Sequence, residues 1–346
     1  MAKLTQFRRV GASGGWGLNP PNLLPKLIAG RVTGWCFCHN GELVSFIACF
    51  LNMASLPFYL VDVFSETKYA GNQLAVLTQA GALSAAQMQQ IAKELNFSET
   101  TFIVGGGDRS GYDVRIFTPA QELPFAGHPT LGTAFVIQQV LCGQPVERVV
   151  LNLAVGQVPV TIAYQQQRPE VLWMEQPAPV FGPTVAAAAI APVLSLELEA
   201  FDLRFPVQEV STGVPFLLVP LKTLSALQRI RVNAERLAQV LAPLAAQGIF
   251  VFCPETRDRD RQFSARMFAP LLGIAEDPAT GSANGCLAGY LVRHRYCQTG
   301  AIAVQVEQGH EMGRPSLLRL KAEERDGAIA VQVGGQVVLV AKGDFI

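Results

Sequence analysis

The chain lacks an excess of charge: 27 Lys and Arg offset 27 Asp and Glu in 346 residues, and no Lys/Arg-rich block stands out. That argues against a nucleic-acid or anionic-membrane surface. The apolar run 43–51 is too short to cross a bilayer and too far from the N-terminus for an ordinary signal peptide. Cysteine is sparse, 7 in all, and only Cys36 and Cys38 are closely spaced. This reads as reduced thiols in the cytoplasm, not a disulfide framework. Cys36, Cys38 and His39 lack the two further ligands a structural metal needs, so no metal is expected. Nor is there a dinucleotide fingerprint, because Gly105-Gly106-Gly107 falls in an expected hairpin turn and lacks the glycine spacing of a strand-to-helix turn. No cofactor is expected.

What the chain does have is length for two domains and a 50% hydrophobic composition, enough for large cores. It also has one unit used twice. Leu123-Pro124-Phe125-Ala126-Gly127-His128-Pro129-Thr130-Leu131-Gly132 is a small-residue loop opening an apolar helix, and Glu276-Asp277-Pro278-Ala279-Thr280-Gly281-Ser282-Ala283-Asn284-Gly285 answers it. Strands with similar endings precede them, Arg115 to Pro119 and Arg266 to Pro270. Two such units facing each other bring two helix N-termini, with unpaired N–H groups and partial positive charge, towards one cleft.

Residues 1–52 show no sustained period and read as a disordered or artefactual leader, with Met53 as the natural start. Residues 53–175 then form an N-terminal half and residues 176–330 a C-terminal half, with 331–346 a closing strand returning to the N-terminal half. In the first half, strands at Pro57 to Phe64 and Asn72 to Leu77 precede a helix from Ser84 to Leu95, a hairpin from Thr100 to Thr118, the first loop and a helix from Pro129 to Leu141. The second half repeats the order, with a helix from Asn233 to Ala246, strands at Ile249 to Cys253 and Phe263 to Phe268, the second loop and a helix from Ser282 to Arg295. Phe181 to Leu198 reads as partly helical. One apolar helix among many antiparallel strands, twice over, predicts an α+β fold in which each half wraps a barrel-like sheet around its helix.

Five ordered motifs carry a family resemblance: Asn96 to Phe102, Arg115 to Gly132, Ser211-Thr212-Gly213-Val214-Pro215, Glu276 to Gly285, and Gln308 to Ser316. Together they resemble the PhzF family, named for phenazine biosynthesis, from Met53 onward. The resemblance implies a fold similar to diaminopimelate epimerase, with the active site between the halves and a possible homodimer. It further implies a cofactor-independent isomerase acting on a small carboxylate-bearing substrate, in which Glu99 shuttles a proton between two carbons. His128, Asp277 and Ser282 match the family's other active-site positions, and Gly127 and Gly281 line the loops. Diaminopimelate epimerases place a cysteine in each loop. This chain has none in either, so two-thiol racemisation is disfavoured.

Each residue has a plainer reading. Glu99 could be a solvated charge at a loop-to-strand junction, whereas as a shuttle its pKa should be raised by burial or by a neighbouring carboxylate such as Asp277. His128 could cap its helix, or it could donate a proton or hold a substrate carboxylate. Asp277 and Ser282 are favoured cap types, and the glycines suit tight turns. Two other functions stay open: a non-thiol epimerase or racemase using Glu99 with His128 or Asp277, and a non-catalytic small-acid-binding protein.

Overall fold

Strand and helix follow from which faces the sequence makes apolar. The computed structural model describes residues 33–37, 43–47, 55–108 and 110–346. Thr33–Phe37 and Leu43–Ile47 pair antiparallel. The rest of the expected leader, and the side chains of Cys36, Cys38 and His39, lie outside the described residues.

From Ser55 to Ile346 the chain forms one unit. Leu56–Val63 pairs antiparallel with Asn72–Leu77, which pairs parallel with Glu99–Asp108. That strand pairs antiparallel with Gly111–Phe117, and the ladder continues parallel to Arg148–Leu153, then antiparallel to Gly156–Gln165 and Arg168–Gln176. The second half runs through Val207–Ser211, Pro215–Pro220, Ile249–Cys253, Phe263–Ala269, Ala301–Gln308, Ser316–Arg325 and Ala328–Gly335. Its pairings are antiparallel, parallel, antiparallel, parallel, antiparallel, antiparallel, the same order as in the first. The last strands of the two ladders pair with each other, Leu172 opposite Gly335. Val337–Phe345 joins Leu56–Val63 in the first half, and Val180–Val185 takes the corresponding place beside Val207–Ser211.

Each sheet encloses one helix. Gly127–Val136 is buried at every residue, and Gly281–Arg293 is buried from Gly281 to Val292, which is why both sequences are apolar almost all round. Gly132 lets the first helix touch its sheet: a Cβ there would sit 2.5 Å from Leu74 Cδ2 and 2.8 Å from Val63 Cγ2. In Ile249–Cys253 the inward Phe250 and Phe252 share the large core with the second helix, while Ile249, Val251 and Cys253 pack with Ile190, Leu237 and Leu241 on the outside. Both faces of that strand are covered, so it reads as a continuous apolar run.

Several boundaries differ from the sequence reading. The first helix starts at Gly127, two residues before Pro129, and ends in a π-helical turn over Ile137–Cys142. Phe181 to Leu198 divides into the strand Val180–Val185 and the helix Ala187–Leu194. Ser84 caps its helix through a capping box with Gln87.

Candidate active site

The two loops leave equivalent strands at equivalent places. Leu123 pairs with Ile116, and Asp277 pairs with Met267. From those points the chains run in step, Pro124 with Pro278, Gly127 with Gly281, His128 with Ser282. Each is anchored by a two-bond ion pair just upstream. Arg115 donates to Glu122 at 2.7 and 2.6 Å, and Arg266 donates to Glu276 at 2.8 Å twice. The scaffold is therefore duplicated while the chemistry is not: where one half has Leu123 and His128, the other has Asp277 and Ser282.

Gly127 and Gly281 bring the helix starts together. A Cβ on Gly127 would lie 3.4 Å from both Gly281 Cα and the Ser282 nitrogen, and one on Gly281 would lie 3.3 Å from the Phe64 ring. A Cβ at Gly127 would fill the contact between the two N-termini, and one at Gly281 would press on the Phe64 ring. The N-caps are Ala126 and Thr280, and neither makes a side-chain cap bond. His128, Asp277 and Ser282 therefore do not act as the caps the plainer reading allowed. Two helix N-termini without side-chain caps face a common point, a setting that favours an anion.

Glu99 opens its strand opposite Leu74. Its Oε2 lies 3.5 Å from His128 Nε2, with the two side chains 13% and 6% exposed. Both atoms are shut off from solvent, and neither has a hydrogen-bond partner in the protein. Burial pushes the Glu99 carboxyl up to about 8, with the nearby Asp277 charge adding to the rise. Burial also pushes His128 down to about 3, against a hydrogen bond to the Gln73 backbone. At neutral pH this is a carboxylic acid beside a neutral imidazole, not an ion pair, despite the short distance.

Asp277 ends the strand Ile274–Asp277 and is 6% exposed. Its Oδ2 accepts from Thr280 Oγ1 at 2.6 Å and its Oδ1 from Asn72 Nδ2 at 3.0 Å. Burial raises this carboxyl to about 6, the two hydrogen bonds oppose the rise, and Glu276 adds to it. Gln308 donates to the Asp277 carbonyl and to Thr280 Oγ1, and Asn284 donates to Gln308 Oε1. Ser282 is buried, its carbonyl accepting from Thr212 Oγ1 at 3.3 Å.

Sequence reading thus named Glu99, His128, Asp277, Ser282 and both glycines. It missed Asn72 and Gln73 as supporting groups, and it quoted Thr280 in the second loop without giving it a role. Gln308 and Thr212 lay inside quoted motifs, but nothing local marked them as partners of the loops. Among the described residues no group of three or more His, Cys, Asp or Glu side chains is placed to hold a metal, and no helix is long and apolar enough to cross a membrane.

The titrations predict a stability profile. Between about pH 3 and 6.5 the native state leaves His128 unprotonated while the unfolded chain protonates it, so this group adds stability as pH rises. A raised carboxyl works the other way, its native proton stabilising the fold until pH passes the native value. Above pH 6.5 unfolded histidines are neutral, and Asp277, at about 6, has largely released its proton. Of these three groups Glu99 remains, protonated when folded and ionised when unfolded up to about pH 8. Urea unfolding should show stability falling from pH 6.5 to 8, by up to about 1.4 kcal/mol per pH unit. A Glu99→Gln variant should be flat across that window; the same slope in the variant would assign the proton elsewhere.

A family model described as phenazine biosynthesis-like protein, PhzC-PhzF, matches residues 61–343. A trans-2,3-dihydro-3-hydroxyanthranilate isomerase of Pseudomonas chlororaphis is 33% identical over 290 residues, 84% of this chain and 99% of that protein. An uncharacterized isomerase of Clostridium acetobutylicum is 32% identical over 296 residues, 83% of this chain and 97% of that one. The crystal structure of a PhzF-family phenazine biosynthesis protein of Bacillus anthracis superposes with a TM-score of 0.78 at 25% identity, covering 85% of this chain and 100% of that one.

Proposed function

The chain belongs to the PhzC-PhzF family of phenazine biosynthesis-like proteins and is an isomerase, and from that premise we propose that it moves a proton between two carbons of a small carboxylate-bearing substrate, with Glu99 as the general acid/base. One observation carries this reading. Glu99 Oε2 and His128 Nε2 lie buried 3.5 Å apart without protein partners, beside two helix N-termini that meet. Orphaned buried polar atoms cost stability unless a ligand satisfies them.

The named activity of the Pseudomonas relatives suggests a cyclic amino acid as substrate, trans-2,3-dihydro-3-hydroxyanthranilate or a compound of its class. Its carboxylate would accept from the free N–H groups of the helix starts. Its ammonium would pair with Asp277. That pairing compensates the charge which helps hold Glu99 protonated, so substrate recognition would itself bring the base into its ionised form. Glu99 would then take a proton from an sp3 ring carbon next to the conjugated double bonds, leaving a carbanion delocalised through them. Returning the same proton at the far end of that system would shift the double bond and regenerate the carboxylate. The step needs no metal or cofactor.

An epimerase has one observation in its favour: Glu99 and Asp277, both raised carboxyls, come from different halves. One experiment separates the two outcomes. With trans-2,3-dihydro-3-hydroxyanthranilate in heavy water, NMR should show a shifted double bond and deuterium at the reprotonated carbon, less any fraction returned internally. A stereoisomer with an unmoved double bond would establish epimerisation. Absence of both product and exchange would overturn the assigned substrate.

A further inference from the structure

We propose that Asn72 is a positioning residue for the reaction: its side-chain amide, carried across from the first half, fixes the Asp277 carboxylate at the junction of the two halves. Asn72 opens the strand Asn72–Leu77 and is 2% exposed. Its Nδ2 donates to Asp277 Oδ1 at 3.0 Å and to the Ala279 carbonyl at 2.9 Å. An amide nitrogen has two hydrogens, and here both are directed at the loop that opens the second helix. The Thr280 contact to Oδ2 comes from three residues along the same chain segment. Asn72 is the group that ties Asp277 to the half carrying Glu99 and His128.

Asn72 is itself held in place. Arg314 donates to the Gly71 carbonyl at 2.8 Å, and to the Ala70 carbonyl and Asp62 Oδ1 at 2.6 Å each. Gly71 N–H donates to the Pro315 carbonyl at 3.0 Å. Gly71 has φ +68, and a Cβ there would sit 2.3 Å from the Val63 carbonyl oxygen, so this turn takes glycine and no residue with a side chain.

The internal repeat supplies an independent argument. In the second half the strand equivalent to Asn72–Leu77 is Pro215–Pro220; in the register that matches Ile116 to Met267 and Leu123 to Asp277, Ala75 falls on Leu217 and Asn72 on Val214. The half with leucine at the loop has the apolar Val214 at the entry to the equivalent strand, with no side-chain donor. Only where the loop carries a carboxylate does that strand entry carry a side-chain donor. A general structural tie between halves would not need donor and acceptor to change together.

The charges around Asp277 define what the donor does. Glu276 lies next to it on the same strand and is paired with Arg266, Glu99 and the neutral His128 lie on the other half, and Arg314 is engaged by Asp62. Against burial and the Glu276 charge, the hydrogen bonds from Thr280 and Asn72 favour the ionised carboxylate.

The kinetic part of the test rests on the proposed isomerase reading, and the spectroscopic part does not. In protein labelled with carbon-13 at aspartate carboxyls, the Asp277 signal is assigned by its loss in Asp277→Asn. Its titration midpoint should rise by about one pH unit in Asn72→Ala, a tenfold change in ionisation constant, and by less in Asn72→Ser, which keeps a hydroxyl. An unmoved midpoint in either folded variant overturns the proposal. In wild-type protein the Asn72 side-chain amide nitrogen should shift with the Asp277 midpoint, a reading that needs no variant to fold, and an amide indifferent to that titration also overturns it. With trans-2,3-dihydro-3-hydroxyanthranilate, Asn72→Ala should lower kcat at least about tenfold with KM changed less than about threefold, and should move the acid limb of the kcat profile upward. Adding Asn72→Ala to Asp277→Asn should lower kcat no further; a further tenfold loss would show that Asn72 does not act through Asp277. Absence of turnover by the wild type would overturn the substrate assignment and leave the Asn72 result standing on the titrations.

Discussion

Glu99→Gln should lower turnover of a correct substrate by about a hundredfold or more while changing its binding by less than about tenfold. Glutamine keeps the planar head of the carboxyl and fills the same space opposite His128. It cannot take a proton from carbon. Because Glu99 is held protonated at neutral pH, the amide also resembles the resting side chain in charge, so the fold should be little disturbed. Kinetics then isolate the proton transfer, and heavy-water exchange at the substrate carbon should fall in parallel with turnover. Full turnover by the variant would falsify the assignment and move the role to Asp277 or His128. Loss of binding by more than about a hundredfold with kcat retained would instead make Glu99 a recognition group.

The repeat was legible because it is written in local chemistry: matched strand endings at Arg115 and Arg266, small-residue loops, and helices apolar on all sides. Those signals placed both helix starts in one cleft, and the meeting of Gly127 with Gly281 follows from them. The burial of Glu99 was not legible. A glutamate at a loop-to-strand junction looks solvated until the parallel pairing with Asn72–Leu77 brings it against the first helix. Asn72 lies 205 residues from Asp277, and no local pattern links them. Val180–Val185 escaped for a different reason. Phe-Gly-Pro-Thr has no alternation, and its residues are exposed or only partly buried, so the strand is set by pairing with Val207–Ser211 and not by its own apolar face.

Arg266→Ala should destabilise the fold by about 3–5 kcal/mol, while Arg115→Ala, at the equivalent position of the other half, should cost less than about 1 kcal/mol. Both arginines make the same two-bond pair with a glutamate, and their surroundings decide the difference. Arg115 and Glu122 are 32% and 41% exposed, where water replaces a lost partner. Arg266 and Glu276 are 8% and 15% exposed, and Arg266 also donates to the Leu227 and Ile230 carbonyls and lies 4.8 Å from the Phe268 ring centre. Truncating it strands a buried carboxylate and two carbonyls, and the penalty is their desolvation rather than the net worth of the pair. Urea unfolding at pH 6 measures both variants below the Glu99 titration. Since Glu276 directly precedes Asp277, Arg266→Ala should also lower kcat, and Arg266→Met with Glu276→Leu should recover stability without recovering turnover. Equal losses at the two positions would show that burial does not separate the two halves' ion pairs.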